Sequence, residues 1–189
     1  DLNLSFIRQS SALIIPDLIK IITTVITSIV LAKILGPEKL GVYSSAALVM
    51  TYGVLLHSGI KNGTGLNIPI LIGKGLQKES EITLRHAMSG IIAILIITTP
   101  VFLVITYSLI HRNDLLIGML IIWSSLFLYE IYNMIEAQAR LNYRIKTVFY
   151  SQTILVISRL FLIIILSMYF GILGAFIALF VSYIPSLVY

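Results

Sequence analysis

From Ala87 to Ile110 the chain runs for 24 residues without a charged side chain. At a rise of about 1.5 Å per residue, a helix of that length matches the ~30 Å hydrocarbon core of a bilayer. Few other folds can use such a segment, because a buried helix in water is shorter and a surface helix carries a polar face. The rest of the chain agrees. Only 11% of its 189 residues are charged, against roughly 25% in a soluble domain whose surface must be wetted. Most of this surface must therefore face something other than water.

Apolar runs recur along the sequence and predict an all-α, polytopic membrane helix bundle of about six transmembrane helices. The expected spans are 14–35, 41–60, 87–110, 115–137, 147–169 and 172–189, with no soluble domain between them. Pro16 fits a first helical turn, where its missing N–H costs little. Gly36-Pro37-Glu38-Lys39 reads as a stop and a turn, and Phe170-Gly171 as a tighter one. Small residues Ser44, Ser45, Ala46 and Ala47 permit close packing in the second span. Pro100 predicts a kink in the third. Between Lys61 and His86, glycines, Pro69 and six charged residues break the pattern. The apolar run 68–72 there is too short to cross, so the segment reads as partly interfacial. The chain opens on Asp1 and ends at Tyr189 inside an apolar run, and it reads as a fragment of a longer protein.

Positive charge sets the orientation. With the N-terminus cytoplasmic, the inner segments carry Arg8, Lys61, Lys74, Lys78, Arg85, Arg140, Arg144 and Lys146, and the outer turns carry Lys33, Lys39 and Arg112. Eight against three favours that arrangement. It also places Tyr107 and Tyr169 at the outer interface, and Tyr143 and Tyr150 at the inner one.

A charge at mid-bilayer costs about 2.5–3.5 kcal/mol on insertion scales and asks for a reason. Arg159 lies about twelve residues into its span, roughly 18 Å deep. It is read either as a cation lining a water-accessible cavity that faces an anionic substrate, or as one half of a structural ion pair. Glu130 is shallower, at about 7.5 Å, and Lys20 matches it at about 9 Å. Depth alone makes them candidate partners. Lys20 otherwise snorkels to the inner interface, and Asp17, one turn before it, is placed to neutralise it at i,i+3. Glu130 is then a partner, or a carboxylate that binds a proton or cation. Arg140, Arg144 and Lys146 form a basic cluster at the expected inner surface. Such a cluster determines topology and attracts anionic headgroups, and it would also draw an anionic substrate to the cytoplasmic mouth.

No enzyme chemistry emerges. Cysteine is absent, and the three histidines are scattered without metal-ligand spacing, so neither a metal site nor a cofactor is expected. The glycines of 63–75 follow no strand and lack a Gly-Lys-Ser/Thr ending, so they do not form a phosphate-binding loop. In a chain like this the net charge of +5 reflects membrane topology, and nucleic acid is not an expected partner.

The stretch Leu31-Ala32-Lys33-Ile34-Leu35-Gly36-Pro37-Glu38-Lys39-Leu40-Gly41-Val42-Tyr43 resembles the link between the first two helices of Wzx-type polysaccharide flippases. These belong to the multidrug/oligosaccharidyl-lipid/polysaccharide exporter superfamily. Lys33 stands where Arg is more usual. Gly59-Ile60 with the glycine-rich segment after it resembles the family's second-helix exit. Tyr169-Phe170-Gly171-Ile172-Leu173-Gly174-Ala175 resembles its tight outer turn between helices five and six.

The resemblance implies one lobe of a two-lobed transporter in the bacterial cytoplasmic membrane. It also implies a cationic cavity for the pyrophosphate of an undecaprenyl-linked oligosaccharide, serving surface polysaccharide synthesis. Arg159 and Lys20 are the candidate substrate-binding cations on grounds of burial and charge, and Glu130 and Asp17 the candidate carriers of a coupling H+ or Na+. Other polysaccharide-assembly proteins would be further partners. Two alternatives stay open: a multidrug/toxin cation antiporter of the same superfamily, which would put cavity carboxylates first, and a non-transporting scaffold subunit of a glycan-synthesis complex.

Overall fold

A computed structural model describes residues 2–109, 112–141 and 144–187, with side chains from residue 15 onward except at 16, 17, 109, 145 and 187. The described residues are helical and contain no strand. The helices are α1 (Leu2–Leu55), α2 (Ser58–Gly73), α3 (Gln77–Leu109), α4 (Asn113–Leu141), α5 (Ile145–Val181) and the single turn α6 (Ile184–Leu187). Four helical stretches, Leu18–Leu55, Gln77–Ser108, Asn113–Leu141 and Lys146–Ser186, are long and apolar enough to cross a membrane. Their outward faces carry large apolar side chains such as Ile97, Val104, Phe161 and Met168. In water each would forfeit about 1.5–3 kcal/mol of burial, whereas in hydrocarbon the same faces cost nothing. The chain is a multi-pass membrane protein on this evidence.

Two of the long helices are each two limbs. Gly36 holds φ 70, ψ 172 inside α1, and Gly171 holds φ 58, ψ −132 inside α5. Both are backbone states that a side chain with a Cβ strongly disfavours. At Gly171 the chain folds back on itself. A Cβ at Gly174 would collide with the carbonyl oxygen of Leu166, eight residues earlier, which a straight helix would hold ~12 Å away. Farther along, Arg159 Nε–H donates to Ser182 Oγ at 3.2 Å, and Ser158 Oγ lies 3.4 Å from the Ser182 carbonyl oxygen. These pairs close symmetrically about the glycine, so limbs 145–170 and 172–181 form an antiparallel hairpin.

Three buried clusters join the limbs. Leu31, Leu35, Val42 and Ala46 of α1 meet Ile122 of α4 and Ile163 and Phe176 of α5. Near the same end, Tyr43 stacks on Phe176 with ring centroids 5.6 Å apart, and the Phe176 ring fills the space a side chain at Gly118 would need. Arg112 donates to Glu38 at 2.7 Å, so the Gly36 turn and the start of α4 share one end of the molecule. The second cluster ties α3 to α4 through Ile91, Leu95, Trp123 and Leu126. There Phe102 stacks on Trp123 at 4.2 Å, and Trp123 Nε1–H donates to Thr99 Oγ1 at 3.0 Å. The third holds Tyr132, Leu155, Val156 and Tyr183.

Helix bounds depart from the apolar runs in informative places. α1 is helical from Leu2, ahead of Pro16, and its second limb ends at Leu55 rather than at residue 60. The segment read as partly interfacial opens with α2, a regular helix that passes through Pro69. α3 begins at Gln77, ten residues before the uncharged run, and stays one helix across Pro100. Backbone hydrogen bonding does not stop where hydrophobicity does, so helices project beyond the apolar slab that sequence alone delimits.

Candidate functional site

At Leu56 and His57 the helix that began at Gly36 turns and restarts as α2. The His57 carbonyl accepts the amides of Ile60 and Lys61 at 3.1 and 3.3 Å, which fixes Lys61 one turn above His57 on the same side. That side faces α4. Glu130 sits on the buried stripe of α4 that also carries Ile122 and Leu126, so its carboxylate points inward to meet them. His57 Nε2 stands 3.0 Å from Glu130 Oε1, a close contact without hydrogen-bond alignment. Lys61 Nζ lies 2.8 Å from both carboxylate oxygens. The His57 and Glu130 side chains are 0% and 2% exposed, that of Lys61 28%. The ammonium also lies 5.1 Å from the ring centroid of Tyr129, within cation–π range.

This cluster opens on a cleft of about 760 Å³ between α2, α3 and α4, within the size range of small-molecule sites. Its walls are mainly apolar, with Ile68, Ile72, Met88 and Ile91 among them, and Lys61, Glu130 and Arg140 supply charge.

Arg159 lies elsewhere, on the first limb of α5. Its guanidinium stacks over Tyr183 at 4.8 Å and donates to Ser182, while Nη2 is buried without a partner. Among the described residues no carboxylate pairs with it. Tyr183 in turn meets Tyr129 edge-on at 6.0 Å. An aromatic bridge of Tyr183 and Tyr129 thus runs from the Arg159 guanidinium to the Lys61–Glu130–His57 cluster.

The remaining sequence candidates scatter. Lys20 is exposed on α1, and its carbonyl accepts the hydroxyls of Thr23 and Thr24. The pairing of Lys20 with Glu130 that depth alone suggested is not formed: Lys61 holds the carboxylate, with His57 against it. The Asp17 side chain lies outside the described residues, as does Tyr143. Arg140 is clamped by Glu136 one turn earlier, through Nε at 3.0 Å and through Nη2, and Gln152 Nε2 donates to the same carboxylate oxygen at 2.9 Å. Arg144 and Lys146 are exposed at the start of α5. The basic cluster is therefore one paired arginine and two solvent-facing cations.

Sequence reasoning missed His57 and Lys61 as members of a site. The available signal was their i,i+4 spacing at the end of an apolar run. Their partner is 69 residues distant from Lys61, and nothing local announces it.

Comparison with known protein families, characterised proteins and solved structures returns no match. Function must be argued from the residues themselves.

Proposed function

We propose that this chain is one lobe of a flippase that carries an undecaprenyl-pyrophosphate-linked oligosaccharide across the bacterial cytoplasmic membrane, with its N-terminus inside. Each limb of α1 is then a separate crossing, α3, α4 and the first limb of α5 add three, and the limb that follows Gly171 opens a sixth. The observation that carries the reading is Arg159: a guanidinium in an apolar helix whose described partners, Ser182 and Tyr183, are both neutral. A cation kept in a membrane without a counter-ion is a site for an anion, and a guanidinium matches phosphate oxygens in shape as well as charge. The resemblance of 31–43 and 169–175 to Wzx-type flippases supplies the substrate class.

The absence of cysteine makes the test direct. A single Arg159→Cys is probed in membranes with an impermeant thiol reagent from either side, with and without lipid-linked oligosaccharide. Labelling that the oligosaccharide blocks supports the reading. A site that labels from neither side is packed or lipid-facing, and the assignment of Arg159 fails.

A second reading has its own observation. Lys61 places an ammonium on a buried carboxylate and over an aromatic ring, at the edge of a mostly apolar cleft. A lipophilic organic cation would be held by the same groups, as a multidrug/toxin antiporter requires. Protection of a single cysteine at Ile68, in the wall of that cleft, by such a cation and not by the oligosaccharide favours that reading.

A further inference from the structure

The cluster at the head of the α2–α3–α4 cleft has one carboxylate and two candidate counter-ions. Glu130 and His57 are sealed, and Lys61 is the member that reaches the opening. With His57 neutral, the Glu130 carboxylate and the Lys61 ammonium cancel, and the buried charge is zero. A proton on His57 changes the sum. If all three stayed together, the sealed site would hold a net positive charge, a state that burial penalises heavily. Neutrality returns when one cation leaves. The imidazolium cannot, since its ring is fully enclosed. Lys61 can, because its four-carbon stem is flexible and its head already touches the cleft.

Among the described residues no further ionised group contacts the cluster; Glu81 and Arg85 of α3 line a separate hollow beyond Leu84 and Met88. α4 contributes Tyr129 beside the ammonium and Arg140 farther along the cleft, the latter neutralised by Glu136. Tyr183 approaches through Tyr129, with Arg159 beyond it. The residues that α3 presents to the cleft (Leu84, Ala87, Met88 and Ile91) are uncharged.

We propose that this cleft is a proton-switched site for an anionic phospholipid: protonation of His57 transfers Glu130 from Lys61 to the imidazolium and releases the Lys61 ammonium to bind a lipid phosphate. The proton comes from water and no other bond is made or broken. The occupant follows from the walls and the charge. Ile68, Ile72, Met88 and Ile91 form a surface suited to an acyl chain, on helices that stand in a bilayer, and the freed ammonium lies at one end of it. The inference goes beyond the flippase reading and does not depend on what Arg159 binds.

Linkage makes the switch measurable in both directions, because a proton that tightens lipid binding must be tightened by lipid in equal measure. The chain is placed in phosphatidylcholine nanodiscs with spin-labelled phosphatidylglycerol, whose phosphodiester keeps a constant charge, and with spin-labelled phosphatidylcholine as control. On going from about pH 8 to about pH 5, the preference for phosphatidylglycerol in the immobilised spectral component rises by about 5-fold or more. The rise disappears in His57→Asn, and Lys61→Gln shows little preference at either pH. In the unmodified protein, nitrogen NMR of the three histidines, with His86→Gln and His111→Gln for assignment, follows His57 directly. The Lys61–Glu130 contact, read as a nitrogen–carbon coupling, is lost as His57 takes up its proton, and phosphatidylglycerol moves that titration to higher pH. A preference that ignores pH, a pH step that survives in His57→Asn, or a Lys61–Glu130 contact that persists through His57 protonation overturns the proposal. The NMR measurement needs no change at either residue, so a variant that fails to fold leaves the test intact.

Discussion

The residues around Glu130 differ in what they leave behind when a partner is removed, and that asymmetry is testable. In Glu130→Gln the orphan is the Lys61 ammonium, which reaches the cleft and recovers solvation there. The loss is one charge-assisted contact, about 1.5–3 kcal/mol. In Lys61→Met the orphan is a carboxylate only 2% exposed, with a misaligned imidazole for company. Stranding a buried charge costs about 3 kcal/mol or more. Thermal unfolding in nanodiscs should therefore place Lys61→Met well below Glu130→Gln at neutral pH. Equal effects would mean that the carboxylate is not the sealed partner. Arg112→Ala makes the contrast at the surface. Its side chain and that of Glu38 are 56% and 77% exposed, so the pair contributes at most about 1 kcal/mol and the melting temperature should hardly move.

At the scale of elements, two glycines shape α5 for different reasons. Gly171 supplies a backbone state that a Cβ disfavours, at about 1–3 kcal/mol for replacement by alanine. Gly174 is a matter of space: its missing side chain lets the second limb close on the Leu166 carbonyl, and that oxygen belongs to backbone and cannot swing aside. Gly174→Ala should then cost at least the about 1–3 kcal/mol of an overpacked core and separate Ser182 from Arg159. Thermal unfolding checks the first, and thiol access at an Arg159→Cys site, higher in the Gly174→Ala background, checks the second. The turn itself was legible in Phe170-Gly171, because a glycine between two apolar runs is a local signal. The part played by Gly174 was not, since it depends on a carbonyl eight residues earlier that comes near only once the chain has folded back.

For the whole molecule, the ion pair of Glu38 with Arg112 ties the Gly36 turn to the start of α4. Residues near both must emerge on one side of the membrane. Single cysteines at Lys39 and Asn113 should label together with an impermeant reagent, and a cysteine at Lys74, beyond α2, from the opposite face. On the proposed orientation the first pair is external. Labelling of 39 and 113 from different sides would contradict the packing of α1 against α4, whichever way the protein is inserted.

The sequence by itself determined that this is a helical membrane protein, where its long apolar helices lie and where Gly36 and Gly171 interrupt them. Those properties are local: a bilayer demands long apolar runs with their backbone bonds satisfied inside each helix, and glycine permits a turn wherever it stands. Sequence also marked Arg159 and Glu130 as charges that need a reason, since apolar surroundings are visible in a run of letters. The partners were decided by tertiary structure alone. Depth in a span fixes one coordinate of a side chain, whereas a contact also needs the rotation of its helix and the identity of the neighbouring one. Lys20 and Lys61 were equally available to Glu130 by charge. The packing of α1 against α4, with the turn at His57 aiming Lys61 inward, chose between them.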